Sequence, residues 1–563
     1  MASDPAQSVA AADGEADGRD EALALAAKAE SLRLSGRIDD AVRVAQEATV
    51  LGIGLERTWR VLAEAFDARG DLVAAASAYA QAAPLAADRR ELDGPMGRLA
   101  LRMGEYAKAE RLLKAHLREN GPAADAIADL AYAQSQQLAF DRAHALLKAA
   151  LETDPGQSRL WVALGDLLRF EGRDAQSVVF FEEAARLDPA SAAAAAGRAD
   201  ALLIGAGDID GAMAAGEAAV RAATAGELPA VTVAHARRLL ASGRLAEGWA
   251  AFAKAAEPGD AAAIDVRAAA PPWTPGMPLD GPLLLVGEEN VVHDVLLAQV
   301  VPGLIAEGLP LALAVAPRWE ALARRSFPEA MVVPLFGRSR GGRRQLAAGL
   351  DTPHVHGGRL LAAWRPLRAV VAERRAQPSA FAAAAPYLTP DEDRTRHWRD
   401  WLSGLGAGPK VGLRWRQPFL DVARPCEIPT LQDLRGPLSA PGLHLVSLQE
   451  GEVMGETDWM KEALGLTVHE PPQLNRDDLD DVAALMRALD VVVGPPGATT
   501  YVAAASGVRT WFLSAPWHWA MLGTDAYPWF PDARVISADG VDWTEAMNEL
   551  GQALYDLAGG APG

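Results

Sequence analysis

Two patterns of apolar positions divide the chain. From residue 20 to about 255, large apolar residues recur at i, i+3 and i+7, as in Trp59, Leu62 and Phe66 or Trp161, Leu164 and Leu168. That spacing lays them along one stripe of an α-helix. A turn residue interrupts the helical pattern at a fixed interval: Gly36, Gly70, Gly104, Leu138 in the same phase, then Gly172, with looser copies after Gly207 and Gly243. The period of 34 residues predicts about seven helical hairpins. Asp154-Pro155 and Asp188-Pro189 end helices one period apart, because proline cannot continue a helix. A single hairpin cannot bury its own stripe, so successive hairpins are expected to stack into a superhelix over residues 20–255.

Past a Pro- and Gly-containing linker at residues 256–281, the pattern becomes short unbroken apolar runs alternating with helical segments. Runs at 283–286, 311–315 and 332–335 read as buried strands of a first α/β lobe spanning 282–389. A helical link at 390–402 leads into a second lobe that extends to residue 563, with strands in 410–416, 443–449, 466–469, 491–493 and 510–514. The alternation predicts two Rossmann-like lobes facing each other across a cleft.

The stretch 477–529 organises the second lobe. An acidic-capped helix at 478–489 leads into the run 491–493, and a Gly-Pro loop at 494–497 then opens another helix near Thr499. Ligands bind at the C-terminal ends of parallel strands, and a helix that starts there offers backbone N–H groups to an anion. A phosphate or carboxylate would fit against Gly497, Ala498, Thr499 and Thr500; the alternative is an ordinary βα turn.

Composition narrows the classes. A chain of 563 residues is long enough for two or more domains. A net charge of -20 leaves no basic excess for general nucleic-acid or anionic-membrane binding. Cys426 is the single cysteine, which excludes an internal disulfide and fits a reducing cytoplasm. The acidic start, residues 1–19, lacks the basic and apolar regions of a signal peptide and is expected to be a disordered tail. The most apolar region, 283–317, is broken by Glu288, Glu289, His293, Asp294 and Glu307, so no membrane insertion is expected.

Residues 161–189, WVALGDLLRFEGRDAQSVVFFEEAARLDP, resemble the tetratricopeptide repeat (TPR). The run 271–308, the link PYLTPDEDRTRHWRDWL, KVGLRWR, VSLQEG, DDLDDVAALMRALDVVV and WHWAMLGTDAYPWFPDARV together look like the glycosyltransferase half of bacterial TPR-containing GT-B proteins. Apart from its tail, the chain is similar to the flagellin glycosyltransferases of alphaproteobacteria. The resemblance implies a cytoplasmic enzyme whose repeats hold flagellin. Its GT-B half would transfer a nonulosonic acid, pseudaminic or legionaminic, from the CMP form to Ser or Thr. On this reading transfer is a single inverting displacement with no cofactor beyond that donor, and, since no DxD pair stands at a strand end, no metal is expected. The chain departs from the broader GT-B pattern in two places. The loop after the first strand reads 289–294 as Glu-Asn-Val-Val-His-Asp without the usual glycines, and Pro496-Gly497 and Tyr501 replace an Asp-Thr pair and a His. A UDP-GlcNAc donor, or an adaptor with a silent α/β half, are the competing readings.

Within that frame His293 is the candidate general base, oriented by Asp294 or Glu289; the alternative is a structural loop histidine. Arg414 and Arg416 alternate with Trp415, so they share one face and suit a phosphate or sugar carboxylate, or else serve only the surface. Gln449 ends a strand and is placed to read a base or ribose edge. Trp517, with His518, Trp519, Tyr527 and Trp529, is available to stack on the donor or simply to pack. His354 and His356 lack a visible third metal ligand. The acidic DDLDD run at 477–481 is assigned to helix-dipole charge.

Overall fold

A computed structural model of the protein describes residues 5–224, 226–254, 264–267, 270–288, 291–340, 343–348, 355–356, 359–381, 385–416, 427–451 and 453–559. Helices Pro5–Leu34 and Ile38–Leu51 make the first of seven hairpins, and Leu228–Ala241 with Leu245–Lys254 make the last. The expected turn positions are the observed ones: Gly36, Gly70, Gly104, Gly172, Gly207 and Gly243 all have φ between 64° and 89°. Leu138, the one non-glycine in that phase, takes the same left-handed conformation at φ 56°, at a cost of about 1 kcal/mol for its Cβ. Small residues set the spacing between hairpins. The fully buried ring of Phe181 lies between Gly165 and Gly197, where a Cβ at either position would overlap it.

The tail expected to be disordered is helical from Pro5 onward. Its alanine content favours helix, and fully buried Ala22, Ala26 and Ala29 anchor the same helix further along.

Fourteen strands are present among the described residues. β1 (Ile264–Arg267) lies inside the predicted linker; β2 (Leu283–Val286), β3 (Leu311–Val315), β4 (Met331–Arg340) and β5 (Arg343–Ala348) follow. After the small β6–β7 hairpin (Val355–His356 and Arg359–Leu360) comes β8 (Ala363–Pro366). Apart from that hairpin, these strands form a six-stranded sheet in the order β1-β5-β4-β3-β2-β8, parallel except between β4 and β5. The second sheet contains β9 (Lys410–Leu413), β10 (His444–Ser447), β11 (Val468–His469), β12 (Val491–Gly494), β13 (Thr510–Ser514) and β14 (Arg534–Ser537). It is wholly parallel in the order β11-β10-β9-β12-β13-β14. Counted by appearance this is 3-2-1-4-5-6, the doubly wound order in which the direction of strand addition reverses between the first and fourth strands. β2 and β8 flank the corresponding reversal in the first sheet. Ligand crevices form at such reversals, outside the strand C-termini.

The two sheets and the last hairpin share one apolar core. Trp249 and Phe252 of that hairpin pack with Leu283 and Leu313 of the first sheet and with Val492 and Phe512 of the second. The acidic run assigned to the helix dipole also ties these parts together. Asp480, 1% exposed, accepts from Arg325 at 2.5 and 3.0 Å, Asp478 meets Arg394 at 2.6 Å, and Asp481 accepts from Trp398 Nε1 at 3.0 Å. No helix among the described residues is long and apolar enough to cross a membrane.

Candidate functional site

At the first reversal the chain leaves β2 through Gly287 and Glu288 and turns into helix Val291–Leu297. Asp294 is fully buried, and its Oδ1 accepts from the Glu288 backbone N–H at 2.6 Å. It therefore fixes the loop and does not orient His293, as the sequence suggested. Glu289, the other expected orienting group, lies outside the described residues. Glu288 does the orienting, with Oε2 3.2 Å from His293 Nδ1. Its other oxygen accepts from Arg368 Nε at 2.5 Å, just beyond β8. Burial would push the Glu288 carboxyl up, but the hydrogen bonds and charges of His293 and Arg368 outweigh it and hold it down to about 2. An ionised carboxylate only accepts, so Nδ1 carries a proton, and in the neutral form of the ring the lone pair is on Nε2. Phe252 and Trp519 meet the imidazole edge-on, with ring centroids at 6.3 and 5.7 Å.

At the second reversal, β9 and β12 end side by side. Arg414 is 2% exposed and its Nη1 donates to the Pro495 carbonyl at 3.2 Å, the same oxygen that accepts from Thr500 Oγ1 at 2.9 Å. Gly497, at φ 171° and ψ -178°, precedes helix Ala498–Ala505. This is extended backbone, so the turn does not need a positive φ. It needs the absence of a side chain, because a Cβ on Gly497 would lie 2.8 Å from Arg414 Nη1. Burial pushes the Arg414 guanidinium down to about 10, opposed by Glu450 and Tyr501. It stays charged at neutral pH.

The two reversals open onto one cavity of about 850 Å³. His293, Arg414, Gly497, Ala498, Tyr501, Trp517, His518 and Trp519 line it, which brings these sequence candidates together. The other candidates among the described residues are not part of its lining. The buried side chain of Gln449 is turned to backbone: its Oε1 accepts from the N–H groups of Trp415 and Arg416 at 3.1 and 3.0 Å. Arg416 turns to Glu456 at 2.7 Å, so it does not share the cavity with Arg414. The two separate because β9 stops at Leu413 and its strand alternation stops with it. Thr499 Oγ1 donates to Glu450 at 3.3 Å. Tyr527 and Trp529 are core residues, fully and almost fully buried. Trp517 packs beside Leu203 and Leu239 of the repeats. His354 and Cys426 fall outside the described residues.

Sequence reasoning missed four groups here. Glu288 was read only as a break in an apolar run, although its place at a strand end was a signal. Arg368 follows an edge strand with no motif. His518 was seen only as part of an aromatic cluster. Its Nδ1 accepts from Ala520 N at 3.3 Å, and burial, with the charges of Arg237 and His293, pushes its pKa down to about 3, so the ring stays neutral. Arg237 lines the cavity from within the repeat array, where the 34-residue period marks it as nothing unusual.

Comparison with known proteins finds Protein FlbA of Caulobacter vibrioides, 34% identical over 509 residues, which cover 89% of this chain and 84% of that protein. No protein-family model matches the chain. Among solved structures, a thermophilic TPR protein of Thermus thermophilus aligns at 23% identity over 30% of this chain and 91% of its own, with a TM-score of 0.28. A tetratricopeptide repeat protein from Parabacteroides merdae aligns at 19% identity over 42% and 92%, with a TM-score of 0.35.

Proposed function

We propose a function for this chain, which belongs to the family of Protein FlbA: it is a cytoplasmic protein O-glycosyltransferase whose two sheets form a GT-B cleft. In this reading it transfers a nonulosonic acid, pseudaminic or legionaminic, from the CMP form to Ser or Thr of flagellin, and the repeats hold the flagellin. One observation carries the reading. A carboxylate-held imidazole and a guanidinium beside a helix N-terminus face the same cavity. The acceptor oxygen attacks the anomeric carbon while His293 Nε2 takes its proton. The bond from that carbon to the phosphate oxygen breaks, and CMP leaves with the electron pair. Arg414 and the backbone N–H groups of the helix start at Ala498 and Thr499 stabilise the departing phosphate, taking the part that a metal plays in other transferases. A single displacement of this kind inverts the anomeric centre.

The test is the intact mass of flagellin co-expressed with the protein and a nonulosonate pathway. Nonulosonate increments are expected with the wild-type chain and are expected to fall by about 100-fold or more with His293→Ala. Unmodified flagellin that still binds the protein would replace the enzyme with an adaptor. N-acetylhexosamine increments would transfer the reading to a UDP-GlcNAc donor.

A further inference from the structure

The repeat array places one of its own arginines in the cavity. Arg237 projects from helix Leu228–Ala241 and lines the space shared by His293, Arg414 and Tyr501. Its neighbour Arg238 is held by the array, with Nε 2.5 Å from Asp200 and Nη2 3.1 Å from the Ala196 carbonyl. Arg237 differs. Its Nε is buried with no hydrogen-bond partner, and among the described residues its guanidinium makes no hydrogen bond or ion pair. The carboxylate that acts on it through space, Glu288, is already held by Arg368 and His293. A partly buried cation without a counterion is destabilising. A ligand that supplies the anion removes that cost, and retained instability of this kind is a mark of binding sites.

His518 faces the same cavity. Because its Nδ1 accepts from the Ala520 N–H, the neutral ring carries its proton on Nε2, which makes that atom a hydrogen-bond donor. Arg237 is near enough for its charge to help keep that ring unprotonated. A guanidinium fork and an N–H lining one cavity suit the two oxygens of a carboxylate. Arg414, which lines the same cavity, is packed on Gly497 at the helix N-terminus.

We infer that Arg237, assisted by His518 Nε2–H, binds the carboxylate that an acidic sugar carries on its anomeric carbon, so that the repeat array completes the donor site. This rests on the donor reading above and adds the residue that selects an acidic sugar. A nucleotide sugar lacking the carboxylate leaves Arg237 without its anion and is disfavoured.

The experiment uses the full chain, titrated calorimetrically with CMP and with enzymatically prepared CMP-pseudaminic and CMP-legionaminic acids. The wild-type protein is expected to bind the preferred CMP-sugar about tenfold or more tighter than CMP. Arg237→Met is expected to erase that advantage and to leave CMP affinity within about twofold. Because the substitution removes an uncompensated charge, the unliganded variant is also expected to unfold at or above the wild-type midpoint. An advantage that survives Arg237→Met overturns the assignment. So does a lowered midpoint with CMP and CMP-sugar weakened alike, since that marks a structural arginine. A wild-type protein that binds CMP but gains nothing from either sugar overturns the carboxylate site alone. One that binds no CMP overturns the donor reading beneath it.

Discussion

The ends of β2 and β9 occupy corresponding places in two sheets, and their residues do opposite work. In each, a buried polar side chain ties down the backbone leaving the strand: Asp294 accepts from Glu288 N, and Gln449 accepts from Trp415 and Arg416 N. In each, the group that faces the cavity follows the strand: Arg414 directly after β9, and His293 in the helix after β2. At β2 it is an imidazole held by a carboxylate, which Arg368 in turn neutralises. At β9 it is a guanidinium resting on Gly497 and the Pro495 carbonyl. Topology supplies the position, and the residues past the strand decide whether an imidazole or a guanidinium is presented there.

The contrast is broken most severely at Glu288. Its folded pKa of about 2 lies below the 4.5 of a free carboxyl, so its contribution is complete above pH 4.5 and is lost as the pH falls toward about 2. The shift corresponds to roughly 3 kcal/mol. Glu288→Gln is expected to lose about that much stability at neutral pH and to flatten the decline of stability in the acid window. Urea melts from about pH 2 to about pH 7 provide the measurement, and an acid profile identical to wild type would remove Glu288 from its bridging role.

The next test exchanges the two sides. His293→Ala is expected to slow transfer by about 100-fold while CMP affinity stays unchanged, whereas Arg414→Ala weakens CMP by about tenfold. Parallel turnover and calorimetry separate them; equal effects on CMP would abolish the division of labour.

The smallest contrast lies within the second turn. Gly497→Val forces Arg414 from its seat and is expected to reduce CMP affinity by about tenfold, while Thr499→Ala changes it by less than about twofold. Thr499 contributes a hydroxyl contact to Glu450 at 3.3 Å, and its backbone N–H survives the substitution. Equal affinities in the two variants would place the nucleotide elsewhere.

The hairpins and most strands were legible in the sequence because burial of apolar stripes and runs is a local pattern. The turn phase picked out Gly36 through Gly243 and even Leu138, and the runs 283–286, 311–315 and 510–514 are β2, β3 and β13 to the residue. The same logic found Gly497 and Arg414 at strand ends, and His293 just past one. Partners were not legible. Gln449 bonds backbone 33 and 34 positions away, Arg416 reaches Glu456 at 40, and Glu288 meets Arg368 at 80. Such pairings depend on which strand ends the crossovers bring together, and no periodicity records that. Arg237 shows the limit most plainly. The repeat determines that its helix exists, but only the docking of the last hairpin onto both sheets decides that its charge enters the cavity.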